Sequence, residues 1–169
     1  MADALTGASP CDKVHRSAKK CRIVPDIVFQ GTSALTLDGK GRISVPSRHR
    51  DVLATLTNSE LTLTKHPVGC LLVFPRPAWL NFREKLLGLP MNADGWRRVF
   101  LGSAIDVEVD GGSRLLIPPE LRSAAGLVRD VLLLGMGQRL ELWDAARHAV
   151  HEQQVMAGPM PDAIQDFVF

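Results

Sequence analysis

Two five-residue segments carry side chains whose type and spacing can recognise an anion: Asp38-Gly39-Lys40-Gly41-Arg42 and Asp110-Gly111-Gly112-Ser113-Arg114. Both have the form Asp-x-x-x-Arg inside a glycine-bearing turn. In such a turn the Asp carboxylate accepts backbone N–H groups, and the Arg four residues later opens the returning strand beside it. A guanidinium held in one orientation at a hairpin tip can take phosphate oxygens, or O6 and N7 of guanine, through two parallel hydrogen bonds. Gly39 and Gly41 also leave room for another backbone to approach closely. An ordinary hairpin with a surface ion pair worth ~0–1 kcal/mol would use the same residues. Recurrence at equivalent places argues against that plainer reading.

The recurrence extends beyond the turns. A shift of 72 residues lays Asp38, Gly39, Arg42, Pro46 and Arg50 on Asp110, Gly111, Arg114, Pro118 and Arg122. Leu37, Ile43 and Val45 fall on Val109, Leu115 and Ile117, so the apolar positions match as well. In the first copy, alternation predicts a strand at 34–37, the turn at 38–41, and a return strand at 42–45 ended by Pro46. Ser47 is placed to cap a helix carrying Val52, Leu53 and Leu56. Strands at 61–64 and 70–74 flank a turn at 67–69, and Pro77 opens a helix with Trp79, Phe82 and Leu86 on one face, closed at Gly88. The second copy predicts strands at 105–109 and 114–117, a Pro118-Pro119-led helix stopped at Gly126, strands at 131–134 and 139–143, and a helix from an Asp144 cap to about Met156. Trp96, Val99 and Phe100 have helical spacing between the copies.

These elements define an α+β chain: a basic, loosely ordered extension at 1–27, a first repeat at 32–79 and a helical connector at 80–104. A second repeat follows at 105–151, then the end of the last helix and a tail at 152–169. Neither repeat is long enough to build a core alone, so the two are expected to pack as a pseudo-symmetric pair with peripheral helices.

Composition bounds the rest. The chain has 169 residues, 46% hydrophobic and 22% charged, with three cysteines and a formal charge of +2. That excludes a disordered chain and a disulfide scaffold, and no apolar run approaches the ~18 residues of a membrane span. With no apolar segment near the start, a cytoplasmic protein is expected. The charge is segregated: residues 28–100 sum to +5 and residues 101–169 to −5. A polyanion should meet the first half more readily, because screening makes such forces local. Lys40, Arg42, Arg48 and Arg50 are expected to cluster at the first turn, whereas Arg114 and Arg122 face the carboxylates of Asp106, Glu108 and Asp110.

Other constellations are weaker. Asp106, Glu108 and Asp110 alternate on one strand and could hold Mg²⁺ or Ca²⁺, but a solvent-facing strand explains them more simply. His148 and His151 read as a solvated helix face, and Cys70 as a core residue. Cys11, His15 and Cys21 lack zinc spacing. No nucleotide or hydrolase fingerprint is present, and no metal or cofactor is expected. Met160, Ile164, Phe167 and Phe169 are free to dock on a neighbour or on the core.

From Phe29-Gln30-Gly31 onward the sequence closely resembles the MraZ family of bacterial transcriptional regulators, in the AbrB-like (swapped-hairpin) superfamily. The matching segments are Leu37–Arg42 with Ser44-Val45-Pro46, Thr64-Lys65-His66-Pro67 with Gly69-Cys70-Leu71, Arg97–Gly102, Asp110–Arg114 and Leu140-Glu141-Leu142-Trp143. The resemblance implies two tandem AbrB-like repeats per chain, a closed ring of identical subunits, and a nucleoid-associated regulator without catalysis or small-molecule substrate. It also implies binding of double-stranded DNA at direct repeats upstream of the division and cell-wall gene cluster, through Asp38, Arg42, Asp110 and Arg114. Lys40, Arg48 and Arg50 join them on charge grounds, and repression is the expected sign. The first 27 residues have no counterpart at the family's usual start, which predicts a natural start near Val28. Two rival readings use the same chain: an antitoxin-like protein-binding module, and a metal-dependent hydrolase built on the acidic strand.

Overall fold

The computed structural model describes residues 28–165, so the basic extension and Phe167 and Phe169 lie outside the described residues. The first half runs β1 (Phe29–Thr36), β2 (Arg42–Ser44), α1 (Ser47–Thr57), β3 (Glu60–Lys65), β4 (Leu71–Pro75) and α2 (Arg76–Leu87). A 3₁₀ turn (Met91–Ala93) and α3 (Asp94–Phe100) lead into the second half. There follow β5 (Ile105–Glu108), β6 (Arg114–Leu116), α4 (Pro119–Ala125), β7 (Asp130–Gly137), β8 (Leu140–Asp144), α5 (Ala145–Ala157) and α6 (Asp162–Gln165).

The strands form a six-stranded antiparallel sheet, ordered β1-β7-β8-β4-β3-β5, and a separate two-stranded ribbon of β2 and β6. Exchanging the halves reverses the sheet order onto itself. The opening strand of each half pairs with the third strand of the first or second half in turn: β1 with β7, and β5 with β3. β4 and β8 join the halves at the centre, with Leu72 opposite Glu141.

Sequence pattern explains the layers. Ile43 and Leu115 oppose one another in the ribbon and turn inward with Val45, Ile117 and Leu121. They meet Leu61, Leu63, Leu71, Val73, Leu133, Leu140 and Leu142 from the sheet. A fully buried leucine of this kind stabilises by ~1.5–3 kcal/mol, so the ribbon is fixed to the sheet by its apolar face. β4 is buried on both faces because Leu72 and Phe74 enter a second cluster with Ala78, Trp79, Phe82 and Phe100 beneath α2 and α3. That double burial is why this strand reads as a continuous apolar run.

Three local expectations are corrected. β1 starts at Phe29, five residues before the alternation becomes visible, because its partner is the distant β7. Gly135 makes that pairing possible: a Cβ there would lie 2.3 Å from the Gln30 backbone nitrogen. Ser47 does not cap α1, since the helix begins at Ser47 itself and Pro46 occupies the cap without a side-chain bond. His148 and His151 do not form a solvated face. Both rings pack on Trp143, with centroids at 5.5 and 5.0 Å. The Asp144 cap is as expected, its carboxylate accepting from the Arg147 N–H.

Candidate nucleic-acid interface

Each Asp-x-x-x-Arg segment folds into the same hydrogen-bonded tip. In the first, Asp38 Oδ1 accepts the Lys40 and Arg42 backbone N–H groups, both at 2.9 Å. Asp38 Oδ2 accepts Nε and Nη2 of Arg42, both at 2.8 Å. The Gly41 N–H closes the turn on the Asp38 carbonyl at 2.8 Å. In the second, Asp110 Oδ1 accepts from Gly112 and Arg114, and Oδ2 holds Nε and Nη2 of Arg114 at 3.0 Å.

These bonds set the electrostatics. Hydrogen bonds from the Arg42 backbone and side chain hold the Asp38 carboxyl down at about 2, and the equivalent bonds from Arg114 lower Asp110. Both carboxylates are therefore ionised at neutral pH and clamp their arginines by one edge. Among the described residues the opposite edge, Nη1 with the second hydrogen of Nη2, takes no hydrogen bond or ion pair, and that pair is spaced for bidentate acceptance by phosphate or guanine.

The ribbon brings the two tips to one face. Ser44 pairs with Arg114 and Arg42 with Leu116, so Arg42 and Arg114 are diagonal neighbours on the side away from buried Ile43 and Leu115. Diagonal positions in an antiparallel pair lie about 7–8 Å apart. Backbone bonds lock the tips together: Ile117 N–H donates to the Gly41 carbonyl and Val45 N–H to the Ser113 carbonyl, each at 2.8 Å.

The remaining expected basic residues distribute differently from their positions along the chain. Lys40 is exposed at the first tip, where the second has Gly112. Arg48 reaches back to β1, lying over Gly31 and donating to Ser33 Oγ. Arg50 donates Nε to the Val45 carbonyl at 2.7 Å and borders a depression lined by Val109, Asp110 and Ser113 of the second hairpin. Among the described residues, Arg122 forms no ion pair with the second hairpin's carboxylates. It lies against Gly41 of the first hairpin, so the residue approaching that glycine is a guanidinium rather than a backbone. Gly39 is open: a Cβ at that position would meet nothing within 4 Å among the described residues.

The acidic strand is also rearranged by its partners. Asp106 pairs with Arg76 and accepts from Thr62 Oγ1 at 2.7 Å. A depression of about 440 Å³ lies beside it, lined by Glu60, Leu61, Arg76, Asp106, Val107 and Glu108. Among the described residues, no three His, Cys, Asp or Glu side chains stand together as a metal site. Cys70 is buried, and its thiol is pushed up to about 12, chiefly by burial and then by Glu141. Glu141, which sequence reasoning did not single out as a side chain, is itself buried and held by Trp143 Nε1 at 3.1 Å and Arg139 at 3.2 Å. Among the described residues, no helix is long and apolar enough to cross a membrane.

Comparison with known proteins gives a consistent match. A family model described as "MraZ protein, putative antitoxin-like" matches residues 28–99 and again 100–163. A "Transcriptional regulator MraZ" of Leptothrix cholodnii is 66% identical over 144 residues, covering 85% of this chain and 99% of that protein. Proteins of the same name from Methylibium petroleiphilum and Variovorax paradoxus are 62% identical over 144 residues and 59% over 142. They cover 85% and 84% of this chain, and 99% and 100% of their own lengths.

Proposed function

The chain belongs to the MraZ family, and from that premise we propose that it is a transcription regulator that binds duplex DNA through the outer face of the β2–β6 ribbon. The observation that carries this reading is the pair of arginines, Arg42 and Arg114, each oriented by its own aspartate on that face. In it, Asp38 and Asp110 are positioning groups, Arg42 and Arg114 read the duplex, and Lys40 adds a phosphate contact. Arg48 and Arg50 contribute positive potential from the flanks of the ribbon. The first tip dominates because it alone carries an exposed lysine beside its arginine. The reading involves no catalysis, cofactor or small-molecule substrate, and it puts the protein in the cytoplasm, associated with the nucleoid.

The interlocked pairing of the two halves supports the AbrB-like, swapped-hairpin interpretation, with repeat units at 32–79 and 105–151 and a connector at 80–104. A single ribbon offers few contacts, and a good bidentate pair discriminates by only ~1–3 kcal/mol. We therefore read the working form as a ring whose subunits engage successive direct repeats upstream of the division and cell-wall gene cluster, to repress it. Such multivalency raises avidity by ~10²–10⁴ without new contacts.

Gel-shift binding to the DNA upstream of this protein's own gene tests the reading. Wild type should bind with a steep salt dependence and Arg42→Ala should lose most of the affinity. Affinity should fall more than proportionally as direct repeats are deleted. Salt-insensitive binding, or none, would instead favour the antitoxin-like protein-binding module that the family description allows.

A further inference from the structure

Arg122 is carried by α4, in the second half, yet its guanidinium lies on the first hairpin. A Cβ at Gly41 would sit 2.6 Å from Arg122 Cζ and 2.8 Å from Nε and Nη1. The slot exists because Gly41 has no side chain, and its φ of +80° directs the position a Cβ would take at the Arg122 guanidinium. The charge is positioned, but its donors are unspent. Nε is shielded from solvent, and among the described residues neither it nor the rest of the side chain makes a hydrogen bond or ion pair. The nearest carboxylate in the loop is unavailable, because both oxygens of Asp38 are occupied by Lys40 and Arg42. Arg50, the equivalent residue of the first half, uses its Nε on the Val45 carbonyl. The two helix arginines are thus unequal: among the described residues, the Nε of Arg50 is bonded and that of Arg122 is not.

A half-buried guanidinium without a partner among the described residues, lying against the glycine between exposed Lys40 and Arg42, is a site for an oxyanion bearing several acceptors. We propose that Arg122 is a phosphate-contact residue of the first hairpin, donated from the opposite half, and that its ligand is a backbone phosphodiester of the duplex. This rests on the DNA-binding reading above. It adds a residue that sequence position assigns to the other hairpin.

The test is fluorescence anisotropy of the full chain on a promoter duplex and a scrambled duplex, over a range of salt, with Arg122→Gln, Arg122→Lys and Arg42→Ala. Thermal melts of each variant accompany the titrations. Arg122→Gln should weaken both duplexes alike, by roughly tenfold, and lower the log–log salt slope by about 0.9 for each subunit engaged. Arg122→Lys, which keeps the charge, should keep the slope. If Arg122→Gln lowers affinity and melting temperature together while the slope stays at the wild-type value, the residue is structural and the proposal is overturned. If Arg42→Ala loses binding and Arg122→Gln retains both affinity and slope, the proposal fails while the DNA-binding reading stands. If neither variant changes binding, both fall.

Discussion

Ser44 stands directly across the β2–β6 ribbon from Arg114, which makes Arg42 and Arg114 diagonal neighbours on one exposed face. The opposite face of the same strands is closed by Ile43 and Leu115, 1% and 2% exposed. Two guanidinium groups from residues far apart in the chain are thereby held on one stiff support.

That arrangement predicts unequal but coupled contributions. Arg42→Ala should reduce promoter affinity about ten- to a hundredfold, the range for one bidentate contact, and Arg114→Ala should reduce it less. Contacts this close are not independent, so the double variant should depart from the product of the two single effects. Binding isotherms of all four proteins check this. An Arg114→Ala loss larger than that of Arg42→Ala would reverse the assignment of the dominant tip.

Substituting Asp38 separates charge from orientation. Asp38→Asn removes a negative charge from the tip, so bare electrostatics predicts tighter binding to any duplex. Orientation predicts the reverse for the promoter, because Arg42 loses the acceptor that holds Nε and Nη2. The promoter-to-scrambled affinity ratio should therefore fall, even where affinity for the scrambled duplex rises.

The two glycines of the first tip should respond in opposite ways. Gly39→Ala adds a methyl group to open space and should change stability by no more than ~0.5 kcal/mol. Gly41→Ala forces an L-residue to φ +80° and drives its Cβ into Arg122. A loss of about 1–2 kcal/mol from the backbone alone is expected, with more from displacing the guanidinium. Urea unfolding midpoints of the two variants decide the matter.

Acid should act in two separate windows. His49 is buried against Phe29, its Nε2 without a partner among the described residues, and burial followed by the charge of Arg48 holds its pKa below the ordinary 6.5. His66 is lowered in the same direction, again mainly by burial. Above 6.5 the folded and unfolded imidazoles are both neutral. Below it the unfolded chain takes up protons that the folded one resists, so stability should decline as pH falls. The stabilisation from Asp38 and Asp110 belongs to a lower window. It is present above the ordinary 3.8 and is lost as pH drops through the depressed values, about 2 for Asp38. Denaturation midpoints should drop just below neutrality and again in strong acid, and His49→Leu should shrink the first step.

What was legible in the sequence is local. The hairpin tips are closed by bonds within five residues, so Asp38 with Arg42 and Asp110 with Arg114 follow from spacing alone. The Asp144 cap and the apolar runs of β4 and β8 are equally short-range. The exchanges were not legible. Nothing near Gly31 announces that β1 pairs with β7, and nothing near Arg122 announces Gly41, because both contacts cross between halves. The only available clue to the second was the repeat itself: superposing Arg50 on Arg122 marks both as loop-supporting residues without saying whose loop. The same holds for Trp143, whose cover by His148 and His151 depends on how α5 folds back.

The pairing of each opening strand with the other half also bears on how such a chain can diverge. Were each half a separate polypeptide, two identical copies would be needed to complete the sheet, and both tips would be bound to carry the same residues. Covalent fusion removes that obligation. It keeps the partners at high effective concentration while letting Lys40 and Gly112 differ at equivalent positions. One molecule can thereby hold a specialised reader and a supporting counterpart in fixed register, an asymmetry that an obligate homodimer has no way to encode.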